Sequence, residues 1–330
     1  MLEPMLNLPL IGARVVHFAS TVMIAGIFLF LVFVAAPALR KDRDRTWPTV
    51  VTFHSQLLAM AWLSLAISIV SGAAWLLLLA TRINGSSLAQ VISDGTAWTV
   101  LTRTQFGHDW EARFVVAVLL AAALVRFNRK AGWRLAGGFV AAALAMGFLG
   151  TLAWSGHGGA TPGLRGEVHV TADVLHLIAA GAWIGGLLPL GLLLSSAEQM
   201  PGTVGVSIAR DAILRFSTLG IIAVATLLIT GLLNMWVLVG SVPALVETQY
   251  GRLLALKIAI FLVLLAVAAF NRTRLTPRLA EAAASGSHAS IDALRRLKRN
   301  CLVETALGLA VLIVVGALGT ISPGMLMHGS

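Results

Sequence analysis

Residues 168–195 read VHVTADVLHLIAAGAWIGGLLPLGLLLS. Asp173 is the one Asp, Glu, Lys or Arg in the stretch. A helix rises about 1.5 Å per residue, so this segment is long enough to cross a hydrocarbon core about 30 Å thick. A membrane β-strand would alternate apolar and polar positions. Here the apolar run is continuous, and the segment reads as a transmembrane α-helix. Its polar groups are not scattered. His169, Asp173 and His176 fall at i, i+4 and i+7, which places them on one helix face.

The rest of the chain extends this reading. Of 330 residues, 58% are hydrophobic and 12% charged, against about 25% charged in soluble domains, and the mean hydropathy is +0.89. The expected fold is an all-α membrane protein. Eight transmembrane helices are expected, at roughly 11–39, 50–80, 111–127, 134–154, 168–195, 215–242, 252–270 and 302–321. The net charge of +10 reflects Lys and Arg concentrated in alternate loops, at 40–45, 126–134, 210–215 and 272–299. By the positive-inside rule these loops are cytoplasmic and both termini lie outside, which in a Gram-negative bacterium, where the membrane is the inner (plasma) membrane, is the periplasm. The basic balance therefore points to the lipid bilayer and not to nucleic acid. The single cysteine, Cys301, excludes a disulfide framework or thiolate cluster. No GxxxxGK[ST] phosphate loop is present, which argues against ATP-driven pumping by this chain. The first apolar run lacks a basic leader and reads as a retained helix.

The second half repeats the first. VVHFASTVMIAGIF from Val15 corresponds to VLHLIAAGAWIGGLL from Val174, so His17 matches His176. Ser71-Gly72 then matches Thr230-Gly231, TQFG at 104–107 matches TQYG at 248–251, and FNR at 127–129 matches FNR at 270–272. Arg113 falls opposite Lys257, and Leu149-Gly150-Thr151 opposite Leu318-Gly319-Thr320. Two tandem four-helix repeats are expected, 1–155 and 156–330. An even number of spans gives both the same orientation, related by a pseudo-two-fold axis along the membrane normal.

Ionisable groups inside a membrane are costly and usually functional. The candidate metal set is His17, His157, His169, Asp173, His176 and Met235. Asp173 is placed to ligate or orient either neighbouring imidazole. His17 and His176, at similar depth, suit a copper ion or, alternatively, the axial positions of a b-type haem. His157 sits in the glycine-rich loop SGHGG, and Met235 offers a thioether in the outer part of span six. Arg113 and Lys257 are expected to snorkel to the outer headgroups. Glu304, one turn into span eight, is expected to pair with arginines of the preceding loop.

The HF…AG segment at His17, GAWIGGLLPL after His176, RFS…TGLLN at Arg215 to Asn234 and TQYGRLLALK…NRTRLTPRL together resemble the copper resistance protein D family. The resemblance implies a multi-span inner-membrane protein that moves copper across the membrane. It also implies a separate periplasmic copper-binding partner resembling CopC. A transporter or metal-binding membrane protein is expected rather than an enzyme, with copper as the cargo.

Overall fold

The computed structural model describes residues 7–40, 43–129, 135–155, 163–200, 204–239, 242–285 and 289–321. Among them there is no strand; every element is helical. In chain order the α-helices are α1 (Leu8–Phe30), α2 (Ala36–Leu39), α3 (Arg43–Asn84), α4 (Leu88–Ser93), α5 (Thr96–Arg103), α6 (Gln105–Arg129) and α7 (Leu135–Gly150). They continue with α8 (Leu164–Glu198), α9 (Val204–Leu238), α10 (Val242–Glu247), α11 (Gln249–Phe270), α12 (Thr276–Ser285) and α13 (Ala289–Leu318).

Six described segments are long and apolar enough to cross a membrane: Leu8–Leu39, Pro48–Asn84, Gly166–Glu198, Val204–Leu238, Gln249–Leu279 and Asp292–Leu318. The expected third and fourth spans are also helical but differ from these in chemistry and length. The first half of α6 carries Asp109, Glu111 and Arg113. The apolar part of α7 is shorter and ends in a 3-10 turn at Thr151–Ala153.

Two spans change pitch for the same reason. Leu31–Ala35 and Asn271–Leu275 are single π-helical turns, and each is followed two residues later by a proline, Pro37 or Pro277. Proline removes a backbone donor and crowds the carbonyl four residues back, so the ladder widens just before it. Ala36 accordingly bonds back to Leu31, and Thr276 to Asn271.

α1 is the centre of the bundle and packs against α3, α7, α8 and α13. Its C-terminal half and the π turn after it are almost completely sealed, with Ile24, Ala25, Phe30, Val34 and Ala35 inaccessible. Asn7 caps its start through Leu10 N–H at 3.2 Å. The closest helix crossing is α1 on α8 at Gly26 and Gly185, where a Cβ built on Gly26 would lie 2.1 Å from the Gly185 carbonyl carbon. Without a hydrophobic drive between helices in lipid, such close backbone contact is a main source of association. By contrast α11 has 6% of its apolar window buried and lies at the periphery.

The TQ[FY]G motifs turn out to be helix-entry devices. Thr104 accepts from Gly107 N–H at 3.0 Å, and Thr248 accepts from Gly251 N–H at 2.9 Å, capping α6 and α11. This cap starts each helix at the register that sets where Arg113 and Lys257 fall.

Candidate metal centre

His17 and His176 occupy corresponding positions on α1 and α8, and the helices that follow bond them in the same way. His17 Nδ1 lies 3.2 Å from Ser71 Oγ and 2.9 Å from the Ser68 carbonyl. His176 Nδ1 lies 2.9 Å from Thr230 Oγ1. Ser71 and Thr230 each donate their own proton to a carbonyl one turn back, at 2.6 Å in both cases. They must therefore accept from the imidazole, so both rings carry their proton on Nδ1 and turn the Nε2 lone pair outward.

The two Nε2 atoms meet different surroundings. His17 Nε2 accepts from Arg113 at 2.6 Å, and the same guanidinium donates to Thr151 at 2.8 Å. Arg113 is 1% exposed and stacks over Trp110 and Phe148. It does not snorkel to the headgroups as its position near a helix end suggested; the imidazole and the Thr151 hydroxyl give it acceptors inside. Trp75 and Trp110 close the rest of the pocket, with ring centroids 5.7 and 5.1 Å from His17, and Arg14 lies over Trp75 at 4.4 Å. His17 thus has both ring nitrogens engaged and no room for a ligand. This also leaves the haem alternative without support, because an axial imidazole needs a free Nε2.

The second-half pocket has different walls. Asp173 stands where the first half has Arg14, and Asn234 where it has Trp75. Asn234 Nδ2 donates to Asp173 Oδ1 at 2.5 Å. Asp173 Oδ2 lies 3.6 Å from Nε2 of His169, which is 1% exposed. Neither ring nitrogen of His169 has a hydrogen-bond partner, nor does Asn234 Oδ1. Buried polar atoms are nearly always paired, so three orphaned atoms around one carboxylate call for a partner. Lys257 acts electrostatically on both Asp173 and His176. Among the described residues no donor is paired with His176 Nε2. The donors are imidazole and carboxylate, a set that suits divalent copper more than a soft thioether site.

His169 and His176 stand about 10 Å apart along the helix by its rise, so they cannot share one ion. Among the described residues no three His, Cys, Asp or Glu side chains converge on one point. Met235 is packed with Val239, Tyr250, Val314 and Leu318. His157 lies outside the described residues. Sequence reasoning missed the part played by Asn234, Thr230, Trp75 and Trp110. The spacing of Ser71 and Thr230 from their histidines was the one signal that pointed to two of their equivalents.

Two expected outcomes distinguish the pockets. Alanine at Gly72 would place its Cβ 2.5 Å from the Trp110 ring and 3.2 Å from His17 Cε1. A rigid indole cannot yield, and a loss of about 1–3 kcal/mol is expected in thermal unfolding. Alanine at Gly231 meets only His176 Cε1, at 3.7 Å, and should leave the melting temperature unchanged or raised. Separately, Arg113→Met leaves His17 Nε2 unsatisfied in a buried pocket and should destabilise the protein by about 1–3 kcal/mol, read by the same melt, without loss of bound metal.

Comparison with known proteins places the chain in a family. Residues 5–167 match the family described as copper resistance protein D-like, N-terminal domain, and residues 210–318 match copper resistance protein D. The chain is 30% identical to copper resistance protein D of Pseudomonas syringae pv. tomato, over 96% of this chain and 97% of that one. It is 29% identical to inner membrane protein YebZ of Escherichia coli K12, over 97% and 100%. It is also 29% identical to copper transport protein CutJ of Bacillus subtilis 168, over 69% of this chain and 39% of that protein. No solved structure matches significantly. An all-helical membrane chain matched along nearly its whole length in this way belongs to the copper resistance protein D family.

Proposed function

We propose that this chain carries copper ions across the bacterial inner membrane, receiving them from the outer side at His169, Asp173 and His176. The observation that carries this reading is the buried His169 imidazole, with no hydrogen-bond partner, standing 3.6 Å from Asp173 and two turns above a second imidazole whose Nε2 is turned outward. Asp173 lies between the two histidines in sequence and can hand an ion from one to the other. The separation makes them successive stations and not one cage. His17 keeps the equivalent place in the first half as a structural residue. A periplasmic carrier resembling CopC is the proposed donor, and both termini face it.

The same reading takes the bundle as two four-helix repeats with eight spans, α6 and α7 included. Two features support this. The imidazole–hydroxyl contacts of the two halves match atom for atom. Gly26 and Gly185, which correspond in the repeat, touch each other, as equivalent positions do where a two-fold axis passes between them.

The test is metal content. Purified protein is exposed to equimolar copper, iron and zinc, desalted, and analysed by mass spectrometry. Retention of copper in the wild type, lost in His169→Gln and Asp173→Asn but kept in His17→Gln, is expected. Iron at near-stoichiometric level, or copper retained by all three variants, would overturn the assignment.

A further inference from the structure

A second polar cluster lies deeper on the same side of the bundle. Glu304 of α13 is 4% exposed. Its Oε1 accepts from Asn271 Nδ2 at 2.6 Å, and the Trp183 indole also hydrogen-bonds the carboxyl. Asn271 Oδ1 in turn accepts from Asn300 Nδ2 at 2.5 Å. Asn271 and Asn300 are half-buried, so the chain of contacts runs from a sealed carboxyl to partly accessible amides at the end of the bundle that bears the basic 272–299 segment, the side the positive-inside rule makes cytoplasmic. Trp183 is seven residues beyond His176 on α8, two turns or about 10 Å deeper on the same face.

The expected arginine partners are absent. Arg272, beside Asn271, is turned to Ser217. Lys298 bonds Glu198 at 2.8 Å. α8 presents the Trp183 indole, and the titratable neighbour on α13 itself is the buried Cys301 thiol, one turn earlier. Among the described residues, no ion pair is formed by Glu304. A carboxyl held only by neutral donors at membrane depth is expensive if it carries charge permanently. A glutamine would keep an acceptor for Asn271 while removing the titratable group. The first half has Leu135 at the matching distance before its Leu-Gly-Thr end.

We propose that Glu304 is a proton site in the inner half of the membrane, taking a proton from the cytoplasmic side through the Asn271–Asn300 opening and returning it there as copper passes. The Asn271 π turn, forced by Pro277, is what swings the amide onto the carboxyl. The coupling to copper rests on the transport reading above; the proton site itself does not.

The first experiment is an infrared pH titration of the full chain in lipid. A protonated-carboxyl C=O band that appears reversibly with falling pH, shifts in heavy water and is missing from Glu304→Gln is expected. Identical spectra for wild type and Glu304→Gln throughout would overturn the site. Gel filtration of the variant checks that it remains folded, and Glu304→Asp should retain a shifted band. The second experiment is copper uptake into vesicles at fixed outer pH, with a gradient imposed by varying the pH on the cytoplasmic side, which is the side the proton site exchanges with. Wild-type uptake should change several-fold with the gradient, and Glu304→Gln uptake should not, at equal copper content. Uptake that ignores the gradient in both proteins overturns the coupling and leaves transport standing. No uptake by either overturns transport, and the infrared titration still decides the proton site.

Discussion

Gly185→Leu should yield no folded protein in mild detergent, and Gly185→Ala should already lower the melting temperature sharply. A Cβ at position 185 would lie 2.3 Å from the Val22 carbonyl oxygen and 3.0 Å from Gly26 Cα. These obstacles are backbone, so no rotamer change relieves them. The two helices must move apart, and the sealed layer of α1 moves with them. Overpacking by a methylene or two in a soluble core costs about 1–3 kcal/mol. Here the whole crossing opens, and lipid supplies no hydrophobic drive to hold it closed. Gly191 on the same helix is the control, since a Cβ there meets nothing within 4 Å. Gly191→Ala should match or exceed the wild type, because alanine is the better helix former. Fluorescence-detected gel filtration with a thermal ramp reads all three. A normally eluting Gly185→Leu would mean that the α1–α8 crossing is not the keystone of the bundle.

That crossing shows what a sequence can and cannot disclose. The membrane class was legible from unbroken apolar runs, because span length is set by bilayer thickness alone. The spacing of His17 from Ser71 and of His176 from Thr230, which the structure shows as matching imidazole–hydroxyl contacts, was legible in the sequence. Which histidine is free was not, since that depends on the partner of Nε2, and Arg113 comes from a helix 96 residues away. Arg113 and Lys257 occupy matching positions and looked alike. One is folded inward onto an imidazole, a hydroxyl and two aromatic faces. The other acts on a carboxylate. Helix periodicity assigns a residue to a face but does not say what stands opposite. The same limit hid the neutral partners of Glu304, because the π turn that presents Asn271 is a consequence of Pro277 in three dimensions. Charge content also made α6 a poor apolar window even though it packs on α3 and α7 within the bundle.

The unequal walls of the two pockets lead to the second large effect. His176→Ala should abolish copper uptake into reconstituted vesicles while the protein stays folded, and His17→Ala should lower the melting temperature sharply, with uptake persisting in the fraction that folds. Removing His17 strips Arg113 of an acceptor at 2.6 Å and leaves a buried guanidinium with the Thr151 hydroxyl alone of its two acceptors, among Trp75 and Trp110, which pack on the lost ring. A buried charge left without its partner is among the most destabilising changes known, about 3–5 kcal/mol for broken ion pairs and somewhat less for a neutral acceptor. Removing His176 vacates one hydroxyl, Thr230, which still donates to the Thr226 carbonyl. The structural loss is therefore small, and what disappears is an outward Nε2 lone pair three residues beyond Asp173 on the same helix. If uptake survives in a well-folded His176→Ala protein, copper does not pass by this imidazole. If His17→Ala is as stable as the wild type and loses uptake, the two histidines have exchanged roles, and the Arg113 contact must open during transport.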